Sequence, residues 1–479
     1  MTAAATPSFL WHDYETFGAN VRVDRPAEFA CWRSNEAFEP IAEPVAFRCR
    51  PTLDYLPQPQ ACVITGIGPE SAWREGLPEP EFAERVLAEM GTPQTCVLGY
   101  NSMRFDDEIT RHLFWRNFID PYEREWARGN SRFDLIDLAR AAQALRPQGI
   151  HWPRREDGHP SFKLSDLSAA NALPHRHAHA ALSDVEATLA LARLIKSAQP
   201  RLMDFALNLR RKARVLELLD WRARKPVVHV SQRFPAERGC LAQVVPIAMH
   251  PSQSGKVIVV DAAQEPTPLL AWSAEKLAEM LLTPASDPDR VALGLKVVHA
   301  NRAPFLAPLS VLEGVDLGRI AFDRERVDLH TRRLQDAAGL DQKLQQIYAL
   351  LDRGERPVLD PDEALYAGFV ADGDRALCTR WRVERTDGLG GLSKKFSDQR
   401  LQTLAFRYRA RHHEDSLSEP ERKLWLRHCR DRLDGEAGTL APYLSAVREI
   451  SAQHPELASE LTRWGQRVCE HAQIPWPQQ

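Results

Sequence analysis

Two acidic residues near the N-terminus have the spacing of a pair of metal ligands. Asp13 and Glu15 lie two positions apart in the apolar and aromatic run of residues 9–16, which predicts a β-strand. Side chains two positions apart on a strand point to the same face, so both carboxylates enter the same space. A cation would relieve their repulsion, and oxygen ligands suit Mg²⁺ or Mn²⁺. Taken alone, however, such a pair is more typical of a solvated strand face.

Three residues further along the chain could complete a metal site. Asp106 follows a second apolar run, residues 95–101, which predicts another buried strand. His179 and Asp184 lie at the head of an Ala-rich helical pattern, residues 180–195. If His179 precedes that helix on a loop, its ring could lean over a metal held by Asp184. The four carboxylates and the histidine would then suffice for two metal ions, a water and a base.

Neighbouring residues compete for two of these positions. Asp107 directly follows Asp106, so both acids lie just past the second predicted strand. His175, His177 and His179 form a His-Arg-His-Ala-His run, which is also typical of a metal-binding tract. Residue spacing alone therefore leaves both choices open.

The elements that must position these residues change in type along the chain. Strands mixed with helical patterns at residues 108–118, 135–145 and 180–195 predict an α/β domain that ends near residue 196. After Pro200, residues 201–223 predict a helical and basic stretch. Short β-branched runs separated by Pro, Gly and Ser then predict a small mixed or barrel-like domain to about residue 352, with strands at residues 227–230, 244–247, 256–260 and 296–299. From about residue 357 the patterns are mainly helical.

Composition and cysteine spacing indicate a globular protein of a reducing compartment. Hydrophobic residues make up 44% and charged residues 27% of the 479 residues, a length that predicts two to four domains. The eight cysteines lie far apart without a Cys-x-x-Cys pair, which argues against a zinc cluster or a small disulfide framework. No apolar run reaches the length of a membrane span, and the N-terminus lacks a secretory pattern. We therefore expect a cytoplasmic protein.

Net charge argues mildly against nucleic-acid binding, but local charge does not. The net charge is −3 and the sequence pI is about 6.6, whereas nucleic-acid-binding domains are often strongly basic. Between the second and third acidic motifs, basic and aromatic residues alternate without apolar periodicity. That pattern is typical of a single-stranded DNA groove, and equally of a solvated helix with partly buried aromatics. The residues concerned are Arg111, Arg116, Tyr122, Trp126, Arg128, Arg132 and Arg140.

The ordered motifs resemble a known nuclease family. An early Asp-x-Glu, a central Asn-x-x-x-Phe-Asp and a late His-x-x-x-x-Asp resemble the DEDD exonuclease superfamily in its histidine-bearing DEDDh branch. Neighbouring residues narrow the resemblance to bacterial exonuclease I, and the match runs over nearly the whole chain. The residues that carry it are 12–18, 99–101, 104–108, 145–147, 160–162 and 408–411.

This resemblance implies a fold and an activity. It implies an RNase H-like α/β exonuclease domain with a mixed sheet at residues 8–196, an SH3-like α+β domain at 200–352 and a mainly helical C-terminal domain at 356–479. The implied activity is 3′–5′ hydrolysis of single-stranded DNA to nucleoside 5′-monophosphates, with a role in DNA repair and recombination. The implied cofactors are two Mg²⁺ ions, with Mn²⁺ as a substitute. We expect a monomer that does not bind membranes.

The resemblance also assigns the catalytic roles. It makes metal ligands of Asp13, Glu15, Asp106 and Asp184, and it makes His179 the base that deprotonates the attacking water. A histidine suits that role because its unperturbed pKa lies near neutrality. The family motif places the ligand directly after Phe, which selects Asp106 over Asp107. Only His179 has the family spacing to Asp184.

DNA and protein contacts are implied in the same way. The positions expected to contact DNA are Glu15, Arg111, Tyr122, Trp126, Arg140 and Lys163. The family commonly has Arg where this chain has Lys163, and lysine lacks the bidentate fork. Arg146 lies where the acidic tail of single-stranded DNA-binding protein is expected to bind. Two alternatives are a DEDDh enzyme acting on RNA ends or as a proofreading subunit, and a non-catalytic DNA-binding protein on a decayed nuclease fold.

Overall fold

The protein divides into two compact units that are not contiguous in sequence. The computed structural model describes residues 6–175, 179–284, 286–352, 358–436 and 438–477. The first unit comprises Met1–Asn130, Arg176–Glu186 and Val358–Gln479, and the second comprises Ser131–His175 and Ala187–Pro357. The beginning and the end of the chain therefore belong to the same unit. No helix of the described residues has the length and hydropathy needed to cross a membrane.

Strands and helices alternate in the first half of the chain, and helices predominate towards the C-terminus. The strands are β1 (Ser8–Thr16), β2 (Pro26–Ser34), β3 (Val45–Arg48), β4 (Thr95–Gly99), β5 (Ser131–Asp134), β6 (Val227–Val230), β7 (Leu241–Met249), β8 (Lys256–Asp261), β9 (Leu295–His299) and β10 (Phe305–Pro308). The α-helices are α1 (Pro59–Thr65), α2 (Pro69–Glu75), α3 (Glu79–Met90), α4 (Asp106–Arg116), α5 (Leu135–Leu145), α6 (Leu164–Ala170), α7 (Ala181–Ala198), α8 (Pro200–Asn208), α9 (Lys212–Leu218), α10 (Thr267–Ala271), α11 (Ala274–Leu282), α12 (Arg324–Asp336), α13 (Leu340–Leu351), α14 (Asp372–Trp381), α15 (Thr386–Ser393), α16 (Gln399–His412), α17 (Glu419–Asp434), α18 (Leu440–Ser451) and α19 (Pro455–His471).

The first unit contains a mixed sheet in the order β3-β2-β1-β4. Strand β1 pairs antiparallel with β2 and parallel with β4, and β2 pairs antiparallel with β3. Because side chains alternate along a strand, Leu10 and Tyr14 enter the core beside Phe29 and Phe47. Helices α3 and α4 cover that face. The opposite face of β1 is left to carry Asp13 and Glu15.

The C-terminal helices of the first unit pack onto its N-terminal part. Phe118, just after α4, shares a hydrophobic cluster with Trp381 and Phe396, and the ring centroids of Phe118 and Trp381 are 4.7 Å apart. A buried ion pair adds to these contacts, since Nη2 of Arg411 donates to Oδ2 of Asp54 at 2.8 Å. The first unit therefore has a core built from both ends of the chain.

The second unit contains an antiparallel sheet in the order β10-β6-β7-β8-β9. Strands β7 and β8 alternate apolar side chains towards α11 and α13, and these elements share one hydrophobic cluster. The runs predicted as strands at residues 227–230, 244–247, 256–260 and 296–299 all lie in this sheet.

The stretch at residues 201–223, predicted as helical and basic, contains two helices, α8 and α9, with a break between them. Arg211, which precedes α9, has an extended backbone with φ −88° and ψ 112°. In one continuous helix, Leu209 and Leu218 would point in opposite directions, since nine residues at 100° each leave them half a turn apart. The break lets both side chains be buried.

Candidate active site

The paired acids on β1 lie on one face of the strand, as their spacing predicts. Glu15 is 6% exposed and Asp13 is partly buried. Neither carboxylate accepts a hydrogen bond from any of the described residues. A buried carboxylate without a partner is costly, so this arrangement calls for a cation.

Asp106 and Asp107 accept hydrogen bonds from different partners, and this difference distinguishes their roles. The backbone N–H of Tyr14 on β1 donates to Oδ1 of Asp106 at 3.1 Å, which ties this carboxylate to the strand that carries the paired acids. Oδ1 of Asp107 instead accepts a 2.6 Å bond from the fully buried Arg124. The geometry therefore favours Asp106 as the ligand and gives Asp107 a structural partner.

The first turn of α4 suits this concentration of acids. Asp106, Asp107 and Glu108 occupy the first three positions of the helix. The N-terminal end of a helix carries partial positive charge and so stabilises carboxylates. The preceding Asn101 has a left-handed backbone with φ 61°, a conformation that asparagine tolerates better than most residues.

The late motif brings its histidine to the acids. One ligand atom each from Glu15, His179 and Asp184 can be chosen so that all lie within 4.8 Å of one another. Asp184 lies in the first turn of α7, and His179 precedes that helix with an exposed ring and φ 66°. His175 is not part of this group, and His177 lies outside the described residues.

Burial and mutual repulsion both disfavour the ionised forms of the acids on β1. Burial raises the pKa of Asp13 well above its usual value, and the charges of Asp106, Asp184, Glu15 and Glu28 add to this effect. Burial and the charges of Asp184, Glu28 and Asp106 raise the pKa of Glu15 to about 8.

Ionisation of Asp13 and Glu15 is therefore unfavourable without a compensating positive charge. A donor set of carboxylate oxygens with one imidazole fits a hard divalent cation such as Mg²⁺ or Mn²⁺. The residues of the candidate site are therefore chemically suited to bind a divalent metal ion.

A second cluster of the first unit is built around Arg111. Its guanidinium donates to both oxygens of Glu125 at 2.8 and 3.0 Å and to Glu108 at 2.8 Å, and it lies 5.3 Å from the centre of the Tyr122 ring. Nη1 of Arg111 also donates to the hydroxyl of Tyr366 at 3.2 Å. Arg111 is thus buried and neutralised by acids. Any effect of Arg111 on a bound strand would therefore be indirect, through the Tyr122 ring that it contacts.

Two aromatic residues near this cluster are open to solvent. The side chain of Trp126 is 69% exposed and that of Tyr122 is 37% exposed. The sequence predicts both of these residues but not Tyr366, which is 255 positions from Arg111 in the chain. No local pattern could have indicated that contact.

The remaining expected contact residues belong to the second unit. Arg140 is buried, and it donates to Asp137 at 2.6 Å and to Gln232 at 3.3 Å. Lys163 is exposed at the start of α6. Arg146 donates to the carbonyl oxygens of Leu145 and Val311 at 2.6 and 3.1 Å. The roles of Arg140, Lys163 and Arg146 stay predictions.

Comparison with known proteins identifies the family along the whole chain. Three family models match successive segments: Exonuclease at residues 10–192, Exonuclease I SH3-like domain at residues 210–350 and Exonuclease I C-terminal domain at residues 359–468. Exodeoxyribonuclease I of Escherichia coli K12 is 43% identical over 424 residues, which cover 88% of this chain and 89% of that protein.

Solved structures give the same result. Escherichia coli exonuclease I in complex with a dA16 oligonucleotide matches with a TM-score of 0.90 and 40% identity, over 98% of this chain and 99% of that chain. A structure of SSB/exonuclease I in complex with inhibitor CFAM matches with a TM-score of 0.88 and 38% identity over the same shares.

The predicted fold class is confirmed, with an RNase H-like exonuclease domain, an SH3-like domain and a helical C-terminal domain. The predicted domain boundaries, 8–196, 200–352 and 356–479, stay predictions. The family models match segments between residues 10 and 468, and the Escherichia coli protein is 43% identical over 88% of this chain. The chain belongs to the exonuclease I family.

Proposed function

We propose that this chain removes nucleotides one at a time from the 3′ end of single-stranded DNA and releases nucleoside 5′-monophosphates. The observation that carries the proposal is the convergence of Glu15, His179 and Asp184 within 4.8 Å, in a chain of the exonuclease I family. The family makes the enzyme an exodeoxyribonuclease, which acts by hydrolysis of phosphodiester bonds.

The site residues divide into ligands and a base. Asp13, Glu15, Asp106 and Asp184 would hold two divalent cations, and Mg²⁺ is the ion we propose, with Mn²⁺ as a substitute. When bound, such ions stabilise the entering and leaving oxygens of an in-line phosphoryl displacement. His179 takes the proton from the attacking water, and its exposed ring can reach a water from the solvent side.

Aromatic and basic side chains would hold the strand. Tyr122 and Trp126 offer exposed rings on which bases can stack, and Arg111 supports the ring of Tyr122 from below. We propose further DNA contacts for Glu15, Arg140 and Lys163. The solved complex of Escherichia coli exonuclease I with a dA16 oligonucleotide supports a single-stranded substrate.

A protein partner is proposed on similar grounds. Arg146 is the residue that we assign to the acidic tail of single-stranded DNA-binding protein, and the solved SSB/exonuclease I structure supports that partner. We place the enzyme in DNA repair and recombination as a cytoplasmic monomer. Its eight free cysteines fit a reducing compartment.

A substrate comparison tests the proposal. Internally labelled single-stranded DNA, blunt duplex DNA and RNA of the same sequence are incubated with the full chain and Mg²⁺, with an EDTA control. We expect mononucleotide release from single-stranded DNA alone, and none when the strand carries a 3′-phosphate. Preferential digestion of RNA, release from the 5′ end or binding without hydrolysis would each contradict the proposal.

A further inference from the structure

A fifth carboxylate lies opposite the acids of β1. Glu28 on β2 pairs directly with Glu15 in the antiparallel register, while Asp13 pairs with Ala30. Residues directly opposite each other on neighbouring strands project to the same face of the sheet, with Cβ atoms about 4.5–5.5 Å apart. Glu28 therefore shares the face of the sheet that carries the candidate metal ligands.

Within the described part of the chain, the positive charge beside Glu28 lies on its outer side. Its side chain is 18% exposed, and Nε of Arg48 on β3 lies 3.6 Å from its Oε1. The register places Arg48 directly opposite Glu28. Nη1 of Arg48 bonds to Oε2 of Glu75, which is 58% exposed, at 2.5 Å. Glu15 on β1, Glu28 on β2 and Arg48 on β3 thus form a row across the sheet, with two acids followed by one base.

On the side of Glu15 away from Glu28, no described residue forms an ion pair with the Glu15 carboxylate. Glu15 is 6% exposed and accepts no hydrogen bond from the described residues. Like charges directly opposite each other destabilise a sheet, and an unpaired buried charge costs still more. The charge of Glu28 is also one of the causes that raise the pKa of Glu15 and Asp13. A cation bound at Glu15 would therefore interact favourably with Glu28 as well.

We propose that Glu28 is an additional acidic residue of the candidate metal site, which strengthens cation binding without being one of the four assigned ligands. Arg48 holds the Glu28 side chain in place and offsets part of its charge. Glu28 is in this sense a positioning and charge-setting residue rather than a catalytic one. The inference rests on the proposed metal-dependent function.

The test measures metal affinity rather than activity. Titration calorimetry with Mn²⁺, in the absence of DNA, is performed on the full-length wild type and on E28Q, R48Q, the E28Q/R48Q double variant and E75Q. E28Q should weaken Mn²⁺ binding by about 10-fold or more, a usual loss when a group outside the ligand shell is removed. R48Q should tighten binding because it removes a positive charge, and the double variant should lie between the two.

Controls separate charge from structure. Glu75 lies on the far side of Arg48 from Glu28, so the E75Q variant should bind Mn²⁺ like the wild type. The E28D variant keeps the negative charge and should retain most of the Mn²⁺ affinity. Unchanged affinity in E28Q, or weaker binding in both E28Q and R48Q, overturns the inference. R48Q carries the test even if E28Q does not fold, because a loss of structure cannot tighten metal binding.

One further variant separates this inference from the proposed function. If E15Q binds Mn²⁺ as tightly as the wild type, the metal site itself is wrongly assigned. If E15Q loses Mn²⁺ binding while E28Q keeps the wild-type affinity, only the role of Glu28 fails.

Discussion

The exposed ring of His179 sets it apart from the acids that it faces. All the assigned carboxylates are buried or partly buried, whereas His179 precedes α7 with its ring open to solvent. A base in that position can exchange protons with bulk water between turnovers. It can also be replaced by another base from solution.

Replacing His179 should therefore slow hydrolysis without stopping it. His179→Ala should reduce the single-turnover rate by about 10²–10⁴-fold, the usual contribution of a general base. The loss should shrink as pH rises, because hydroxide then replaces the missing base. Rates are measured from pH 6 to pH 10 at saturating Mg²⁺. His175→Ala is the matched control, and an equal loss in that variant would show that the wrong histidine was chosen.

The adjacent acids at the start of α4 should respond differently to the same substitution. Asp106→Asn should abolish turnover and leave thermal unfolding nearly unchanged, because it removes a proposed ligand. Asp107→Asn should instead lower the free energy of unfolding by about 3–5 kcal/mol, since it leaves the buried Arg124 without its ion partner. Chemical denaturation and single-turnover assays measure both effects. A stable but inactive Asp107→Asn protein would reverse the assignment.

At the scale of elements, the segment between α4 and β5 buries Phe118 in the core but leaves the rings of Tyr122 and Trp126 at the surface. Trp126 is 69% exposed, so truncating it removes little buried surface. Trp126→Ala should weaken binding of a single-stranded oligonucleotide by about 1–3 kcal/mol, the usual contribution of stacking one base. Fluorescence anisotropy with Ca²⁺ in place of Mg²⁺ measures binding without turnover. Ile64→Ala, at another exposed apolar position, should change nothing, and equal losses in both variants would contradict a stacking role.

Local periodicity determined which elements could be predicted. The strand that carries Asp13 and Glu15 and the helix that carries Asp184 were visible because their side-chain patterns repeat within a few residues. The pairing of Glu15 with Glu28 was not visible, because register depends on how β1 and β2 meet in space. The break between α8 and α9 was missed for a related reason, since the burial of Leu218 depends on tertiary packing.

The residues of the candidate site likewise depend partly on local sequence patterns and partly on long-range contacts. The four acids and His179 were named from motif spacing and from resemblance to a family. The physical reason to prefer Asp106 over Asp107 lies in two long-range hydrogen bonds. Tyr14 donates to Asp106, and Arg124 donates to Asp107. Motif spacing predicts the residues of the candidate site, while long-range contacts explain their arrangement.

At the scale of the molecule, a buried ion cluster joins the N-terminal and C-terminal parts of the first unit. Nη2 of Arg411 donates to both Asp54 and Asp362 at 2.8 and 2.7 Å. Burial alone would raise the pKa of these two carboxyls, but nearby arginines, Arg411 foremost, hold both well below the usual range. Arg116 and Arg25 likewise outweigh burial at Glu79 and lower its pKa to about 2.

This cluster should make the protein sensitive to acid. A carboxyl whose pKa is lower in the folded state stabilises the fold above its unfolded pKa, and this contribution disappears as the pH falls towards the folded value. The free energy of unfolding should therefore decline between about pH 5 and pH 2. Denaturant titrations at several pH values measure the slope. Asp54→Asn should flatten it and cost about 3–5 kcal/mol at pH 7.

A surface pair supplies the control for this prediction. Arg214 and Glu217 form an ion pair whose side chains are 39% and 68% exposed. Glu217→Gln should leave both the stability at pH 7 and the slope unchanged, because exposed pairs contribute little. An equal change in Glu217→Gln and Asp54→Asn would mean that net charge, and not the buried cluster, controls the acid response.

The sharing of one unit by both ends of the chain has a consequence for its synthesis. A ribosome releases β1, with Asp13 and Glu15, long before the segment Val358–Gln479 that belongs to the same unit. At about 5–20 residues per second, the delay amounts to tens of seconds. During that time Asp54 lacks Arg411, and Phe118 lacks Trp381. A nascent or prematurely terminated chain therefore carries Asp13 and Glu15 without the contacts that the C-terminal helices make within this unit.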